Sequence, residues 1–173
     1  MIGRRDSFEI ELSVDTFLCA YFDPELTLSR CRACSGYGGT WSCPEFGFSL
    51  QEYWRRFSTY TVCVERLWLE EAETAEEAQA ILSGEKPVFN RRMLERERSE
   101  GGTALYAQEC EECARCARLD GEPCRFPQIM RYSIESLGGN AAKLIREELG
   151  FDILWSQDGS VPAYYLLIGG ILR

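Results

Sequence analysis

Four cysteines lie close together in the second half of the chain, within the stretch CEECARCARLDGEPCRFP at residues 110–127. They are Cys110, Cys113, Cys116 and Cys124. The first three follow a C-x2-C-x2-C spacing, and an iron–sulfur cluster uses such a run because it takes up to four thiolates. Zinc binds the same side chains, but two close pairs suit its tetrahedral geometry better than an evenly spaced triplet. Residues 110–127, the second cysteine segment, are therefore predicted to bind an iron–sulfur cluster of the 4Fe-4S type, with one or two clusters in the whole chain and zinc as the alternative.

Three more cysteines form a first cysteine segment at residues 31–48, with the sequence CRACSGYGGTWSCPEFGF. They are Cys31, Cys34 and Cys43. The glycines between them let backbone amides approach a sulfur closely, and such hydrogen bonds tune the reduction potential of a cluster. The alternative interpretation is a glycine-rich turn beside core aromatic side chains. The presence of a second thiol group favours the metal-binding interpretation.

The two segments supply seven thiols, whereas two fully thiolate-ligated cubanes need eight. Cys19 and Cys63 are the remaining cysteines, and both are interpreted as small buried hydrophobic residues. One site would then lack a ligand, and water, a carboxylate or a substrate would fill the last position. An enzyme acting at an open iron is therefore an alternative function, although no catalytic residue is assigned. The spacing leaves open whether Cys124 joins the Cys110 group or the Cys31 group.

The composition excludes several classes of protein. The chain has no histidine, which rules out His-ligated zinc enzymes, Ser-His-Asp and Cys-His catalysis, haem with a proximal histidine, and Rieske centres. A length of 173 residues with a hydrophobic fraction of 45% predicts a single cysteine-rich metal-binding domain over residues 1–173. Nine cysteines are an odd number and are clustered at ligand spacing, which argues against an extracellular disulfide framework.

Charge and hydropathy bear on location and partners. No apolar segment follows the N-terminal MIGRRDSFEIEL, so no secretory signal and a cytoplasmic location are predicted. The net charge of −9 argues against nucleic acid as a partner, and the arginines of residues 91–98 alternate with glutamates as on the solvated face of a helix. The apolar run at residues 163–172 is too short to cross a membrane. A redox partner protein is predicted, and the sequence carries no signal for an oligomeric state.

The elements that position these segments follow from periodicity and capping signals. Residues 8–14 alternate between apolar and polar side chains, which predicts a half-buried strand. Ser49, Thr74 and Asn140 are predicted N-caps. The predicted helices are 50–57, 75–82, 87–100 and 141–149. Further strands are predicted at 59–69 and 103–108, with a hairpin of 151–155 against 161–172, while Asp23-Pro24 is predicted as a turn. The result is an α+β fold: a mixed β-sheet, packed helices and two cysteine-rich metal-binding loops.

Both segments together resemble a known family, the cysteine-rich predicted metal-binding proteins of domain of unknown function twenty-two eighty-four. In the first segment the shared residues are Cys31, Cys34, Tyr37, Gly38, Trp41, Cys43 and Pro44. In the second they are Cys110, Cys113, Cys116, Cys124, Arg125 and Pro127, followed downstream by Ser133, Glu135 and Gly138. The chain departs from the family where Glu45 replaces the second proline of a Cys-Pro-Pro. The resemblance covers nearly the whole chain and implies metal binding, with no settled biochemical role.

Overall fold

A four-stranded antiparallel sheet forms the centre of the computed structural model, which describes residues 3–173. The strands are β1 (Arg5–Ser13), β2 (Thr59–Trp68), β3 (Thr103–Leu105) and β4 (Tyr164–Leu172), in the order β1-β2-β4-β3. The predicted α+β class is confirmed, but the sheet is antiparallel rather than mixed. The reason lies in β4, which inserts between β2 and β3 and runs antiparallel to both. β2 and β3 therefore point the same way without pairing with each other.

The described residues also form five α-helices. They are α1 (Val14–Ala20), α2 (Pro24–Ala33), α3 (Leu50–Trp54), α4 (Ala75–Glu100) and α5 (Ala141–Leu149). The predicted α5 and its Asn140 N-cap are confirmed, because the Asn140 side chain accepts a hydrogen bond from the Lys143 amide at 3.1 Å. α3 follows the predicted Ser49 cap but ends at Trp54, three residues before the predicted end.

Two helices differ from the sequence-based expectations near the first cysteine segment. The predicted strand ends one residue early, since Ser13 caps α1 by accepting from the Thr16 amide at 3.0 Å. The predicted turn at Asp23 is the start of α2, where the Asp23 carboxylate accepts from the Leu26 amide at 3.1 Å. An Asp-Pro pair both ends one element and begins another, because proline is well suited to the first turn of a helix.

Helix α4 is one continuous helix of 26 residues, whereas the sequence predicts two helices separated at Gly84 and Pro87. A glycine in a helix interior costs about 1 kcal/mol and a proline about 3 kcal/mol relative to alanine. Burial of the α4 face that contains Leu82, Phe89 and Met93 against the sheet offsets this cost. The predicted capping box of Thr74 and Glu77 is confirmed.

Each face of the sheet packs against its own layer. α4 covers one face, and α1, α3 and α5 cover the other. In the second layer the fully buried Trp54 stacks on Phe17 with ring centroids 4.1 Å apart, and its indole N–H donates to the Leu137 carbonyl at 2.8 Å. The turn at residues 133–139 is thereby fixed against α3, on the side of the molecule that carries both cysteine segments.

The predicted hairpin at the C-terminus is wrong. Residues 151–155 form no strand, because β2 and β3 already occupy both edges of β4. β3 is also shorter than predicted, and Tyr106 leaves it to form a single parallel bridge with Ser133. Within residues 3–173, the structure contains no helix with the length and apolar character needed to cross a membrane.

Candidate metal centre

The first cysteine segment begins on a helix rather than in a loop. Cys31 lies in the last turn of α2, and Cys34 caps that helix with its amide donating to the Cys31 carbonyl at 3.0 Å. Tight turns then carry the chain to Cys43, and the Gly36 amide donates to the Cys34 sulfur at 3.4 Å. This contact is the amide–sulfur approach that the glycine content predicts.

The second cysteine segment places its four thiols around one pocket. Cys110, Cys113, Cys116 and Cys124 all line it. The other lining residues are Thr40, Trp41, Glu112, Phe126 and Met130. A 3-10 helix at Ala117–Asp120 and a left-handed Gly121 turn the chain back toward the first three thiols. Cys124 therefore lies with the Cys110 group, which the spacing alone left undecided.

The two segments contact each other directly through Trp41, which the family resemblance includes, and through Ser42 and Arg118, which the sequence analysis did not assign to the site. The buried Ser42 accepts a hydrogen bond from the Cys110 amide at 2.8 Å. The Trp41 indole donates to the Glu122 carbonyl at 3.0 Å. Arg118 donates to three carbonyls of the first segment, those of Thr40, Cys43 and Glu45. Loop contacts thus join both thiol groups into one cysteine-rich unit.

Helix α4 holds the chain where it enters the second segment. Asn90, which is buried, accepts from the Ala107 amide at 2.8 Å and donates to the Ala107 carbonyl at 3.4 Å. One turn earlier, the buried Lys86 ammonium pairs with Glu109 at 2.9 Å and Glu111 at 2.6 Å. Lys86 therefore offsets part of the negative charge that flanks Cys110.

The same helix holds the chain where it leaves the segment. Glu97 pairs with Arg131 and accepts from the Ala104 amide at 2.6 Å. Nearby, the buried Tyr106 hydroxyl donates to the Ile129 carbonyl at 2.7 Å. Arg96 also contacts the sheet, through an ion pair with Glu9. Arg91, Glu95 and Arg98 are exposed, as the prediction of a solvated face at residues 91–98 requires. The prediction is wrong for Arg96 and Glu97, which are only partly exposed because their ion pairs hold them against β1 and Arg131.

The profile of a protein family matches residues 21–171 of the chain, and its description is predicted metal-binding protein (DUF2284). The chain belongs to this family. The resemblance drawn from the cysteine motifs is thereby confirmed over most of the sequence. No curated protein and no solved structure matches the chain. Metal binding is the predicted property of the DUF2284 family, and the seven thiols of the two segments are the side chains here whose chemistry suits it.

The thiols of Cys31 and Cys110 in this DUF2284 chain are protonated at neutral pH when no metal is bound. Burial raises the pKa of Cys110 to about 11, and the charges of Glu112, Cys124 and Cys113 add to the shift. Burial also raises the pKa of Cys31 to about 11, with further contributions from Cys43 and Glu135. A metal binds the thiolate form, so binding at neutral pH releases protons and becomes tighter as the pH rises.

The donor set around the pocket fits a thiophilic metal. Its lining supplies four thiols and contains no lysine or arginine that would compete for the thiolates. In the part of the chain that the structure describes, no three cysteine or carboxylate side chains are gathered around one point as a single ion requires. The four cysteines of the second segment instead line a pocket whose apolar walls include Trp41, Phe126 and Met130.

Glu135 is a carboxylate between the two segments that the sequence analysis left without a role. Glu135 lies in the turn at residues 133–139. Ser133, at one end of this turn, forms a β-bridge with Tyr106. The Gly138 carbonyl, at the other end, accepts a hydrogen bond from the Asp23 amide at 2.8 Å. Part of the residue reaches the surface, but the carboxylate is surrounded by protein. Burial therefore raises its pKa, a hydrogen bond from Ser133 opposes the rise, and the charge of Glu109 adds to it. The signal that could have identified Glu135 is an acidic residue in a turn whose other residues are buried.

Replacement of Glu135 by glutamine is expected to stabilise the metal-free protein at pH 7. The folded protein binds the Glu135 proton more tightly than the unfolded chain does, so folding stability falls as the pH rises above the ordinary value of 4.5. A glutamine at position 135 has no proton to lose, so the E135Q variant avoids this pH-dependent loss of folding stability. Urea unfolding of metal-free, reduced protein should give a higher midpoint for E135Q at pH 7 and a smaller difference near pH 4.5. The exposed Glu147→Gln is the control, and equal midpoints for E135Q and wild type at pH 7 would contradict the assignment.

Proposed function

We propose that the protein binds an iron–sulfur cluster of the 4Fe-4S type on Cys110, Cys113, Cys116 and Cys124. The observation that supports this proposal is that these four cysteines line one pocket with apolar walls. A cubane cluster takes four thiolates, and clusters are tuned by solvent exclusion and by hydrogen bonds to their sulfurs. The predicted metal binding of the DUF2284 family is consistent with this choice.

The surrounding side chains give the pocket the properties that a redox centre needs. Trp41, Phe126 and Met130 give it apolar walls, and Ser42 fixes the Cys110 backbone. When bound, a cluster supplies one-electron chemistry, and the protein sets its potential through nearby charge and burial. Lys86 contributes here by neutralising part of the charge of Glu109 and Glu111.

The first cysteine segment is proposed to complete the same redox unit. Cys31, Cys34 and Cys43 offer three thiols, and Arg118 and Ser42 tie their segment to the second one. Three thiols suit a second cluster whose last ligand is not a cysteine. We therefore propose an electron-transfer or accessory redox role, exercised in the cytoplasm together with a redox partner protein.

The experiment that tests this function is a determination of iron, zinc and acid-labile sulfide per chain. The protein is purified without oxygen, because exposed cluster thiolates oxidise readily in air. Iron and sulfide in near-equal amounts are expected, and the total tells whether one or both cysteine groups are filled. Zinc without sulfide would overturn the proposal and leave a thiolate-bound zinc protein with a structural or regulatory role.

A further inference from the structure

A groove of about 370 Å³ opens beside the cysteine segments and contains none of their thiols. Its lining residues are Phe48, Ser49, Glu52, Tyr53, Arg56 and Tyr132. Binding sites for small molecules typically enclose about 300–1,000 Å³ and combine aromatic walls with a few polar groups. The groove lies within this range and has this composition.

Three aromatic rings form the walls of the groove. Tyr53 and Tyr132 meet edge to face with centroids 5.5 Å apart, and Phe48 lies 5.7 Å from Tyr132. Phe46 supports this arrangement from behind, with its ring 5.0 Å from both Phe48 and Tyr132. The side chain of Phe48 is 40% exposed, so an aromatic surface faces the opening. Flat conjugated molecules pack well against such walls.

The polar groups of the groove carry opposite charges. The Arg56 guanidinium lies 4.0 Å above the Tyr53 ring, and its Nε donates to the Tyr53 carbonyl at 3.3 Å. Within residues 3–173, Arg56 forms no ion pair, so its terminal nitrogens are available to an anion. Glu52 lies on α3 and Arg56 lies two residues past its end, and both are exposed. Glu52 can accept N–H groups from a ligand, while Arg56 can pair with an acidic one.

We infer that this groove binds a planar nitrogen heterocycle that carries an anionic tail, the class to which flavin mononucleotide belongs. The ring system packs on Phe48 and Tyr132, Glu52 accepts a ring N–H, and Arg56 pairs with the tail. The presence of both charges beside the aromatic walls favours a small molecule with both features over the apolar side chains of a protein partner. This inference concerns binding alone and holds whether or not the thiols carry a cluster.

The test is equilibrium dialysis of the full-length protein against flavin mononucleotide and against riboflavin, which lacks the phosphate. The wild-type protein is expected to bind flavin mononucleotide roughly tenfold more tightly than riboflavin, because a hydrogen bond to a charged group contributes about that factor. Arg56→Gln should remove this difference, whereas Arg55→Gln, at the exposed neighbouring arginine, should preserve it. Phe48→Leu should weaken binding of both molecules, and since Phe48 is partly exposed this variant should fold.

Two results would overturn the inference. One is an absence of binding up to about 1 mM, the weak limit of specific recognition. The other is equal affinity of Arg56→Gln and wild type for flavin mononucleotide. Iron and sulfide are measured on the same samples, so a protein that binds metal but no flavin contradicts this inference alone. A protein that binds flavin but no metal contradicts the proposed cluster alone.

Discussion

Replacement of Cys124 by serine is expected to remove most of the metal from the second cysteine segment. Cys124 is separated in sequence from the C-x2-C-x2-C run, yet it lines the same pocket as the other three thiols. A serine hydroxyl is nearly isosteric with the thiol but is a poor ligand for a thiophilic metal. Loss of even an outer-shell partner of a metal ligand costs about 10–100-fold in affinity, and loss of a ligand should cost at least as much.

Iron, zinc and sulfide per chain measure this effect on protein purified without oxygen. The interpretation of Cys19 as a buried residue is wrong, because its side chain lies exposed on α1, whereas Cys63 is buried as predicted. Cys19→Ser is therefore the matched control, since Cys19 is exposed and belongs to neither cysteine segment. The control should retain the wild-type metal content. If Cys124→Ser also retains it while Cys43→Ser loses it, the metal would belong to the first segment. The proposed ligand set would then be wrong.

Local patterns in the sequence predicted those features that depend on neighbouring residues. The α5 helix with its Asn140 cap is one example, and the capping box of Thr74 and Glu77 is another. Both depend on hydrogen bonds between residues three positions apart, which a single segment determines by itself. The cysteine spacing belongs to the same class, because three thiols within seven residues can be recognised without long-range information.

Features decided by tertiary packing could not be predicted in this way. Gly84 and Pro87 indicate a break, but α4 continues through both because its apolar face is buried on the sheet. The prediction of a mixed sheet was wrong because β4 lies between β2 and β3. The periodicity within a strand carries no information about which strands pair with one another. Propensity is a weak prior that tertiary context overrides.

The candidate site shows the same division between local and long-range information. The thiols could be identified from their spacing, but the side chains that hold their segments come from distant parts of the chain. Arg118 reaches carbonyls more than 70 positions away, and Lys86 reaches Glu109 from the middle of α4. Such residues have no motif, since their role depends on where the fold places them.

Replacement of Asn90 by leucine is expected to destabilise the protein by about 2–6 kcal/mol. The Asn90 side chain satisfies both the amide and the carbonyl of Ala107, and all three groups are buried. Leucine has a similar size but offers no hydrogen bond. Each buried polar group left without a partner costs about 1–3 kcal/mol, so the two Ala107 groups together account for this range. The expected loss is a large part of a typical folding stability of about 5–15 kcal/mol.

Urea unfolding of the metal-free protein measures the change in stability, and Gln79→Leu provides the control. Gln79 is exposed on the same helix and contacts only Ser83, at 3.5 Å, so its replacement should change stability by about 0.5 kcal/mol at most. Ala107 lies three residues before Cys110, and its release frees the chain at the entrance to the thiol pocket. Asn90→Leu should therefore also lose metal to a chelator faster than wild type. Wild-type stability in this variant would show that α4 does not hold the second cysteine segment in place.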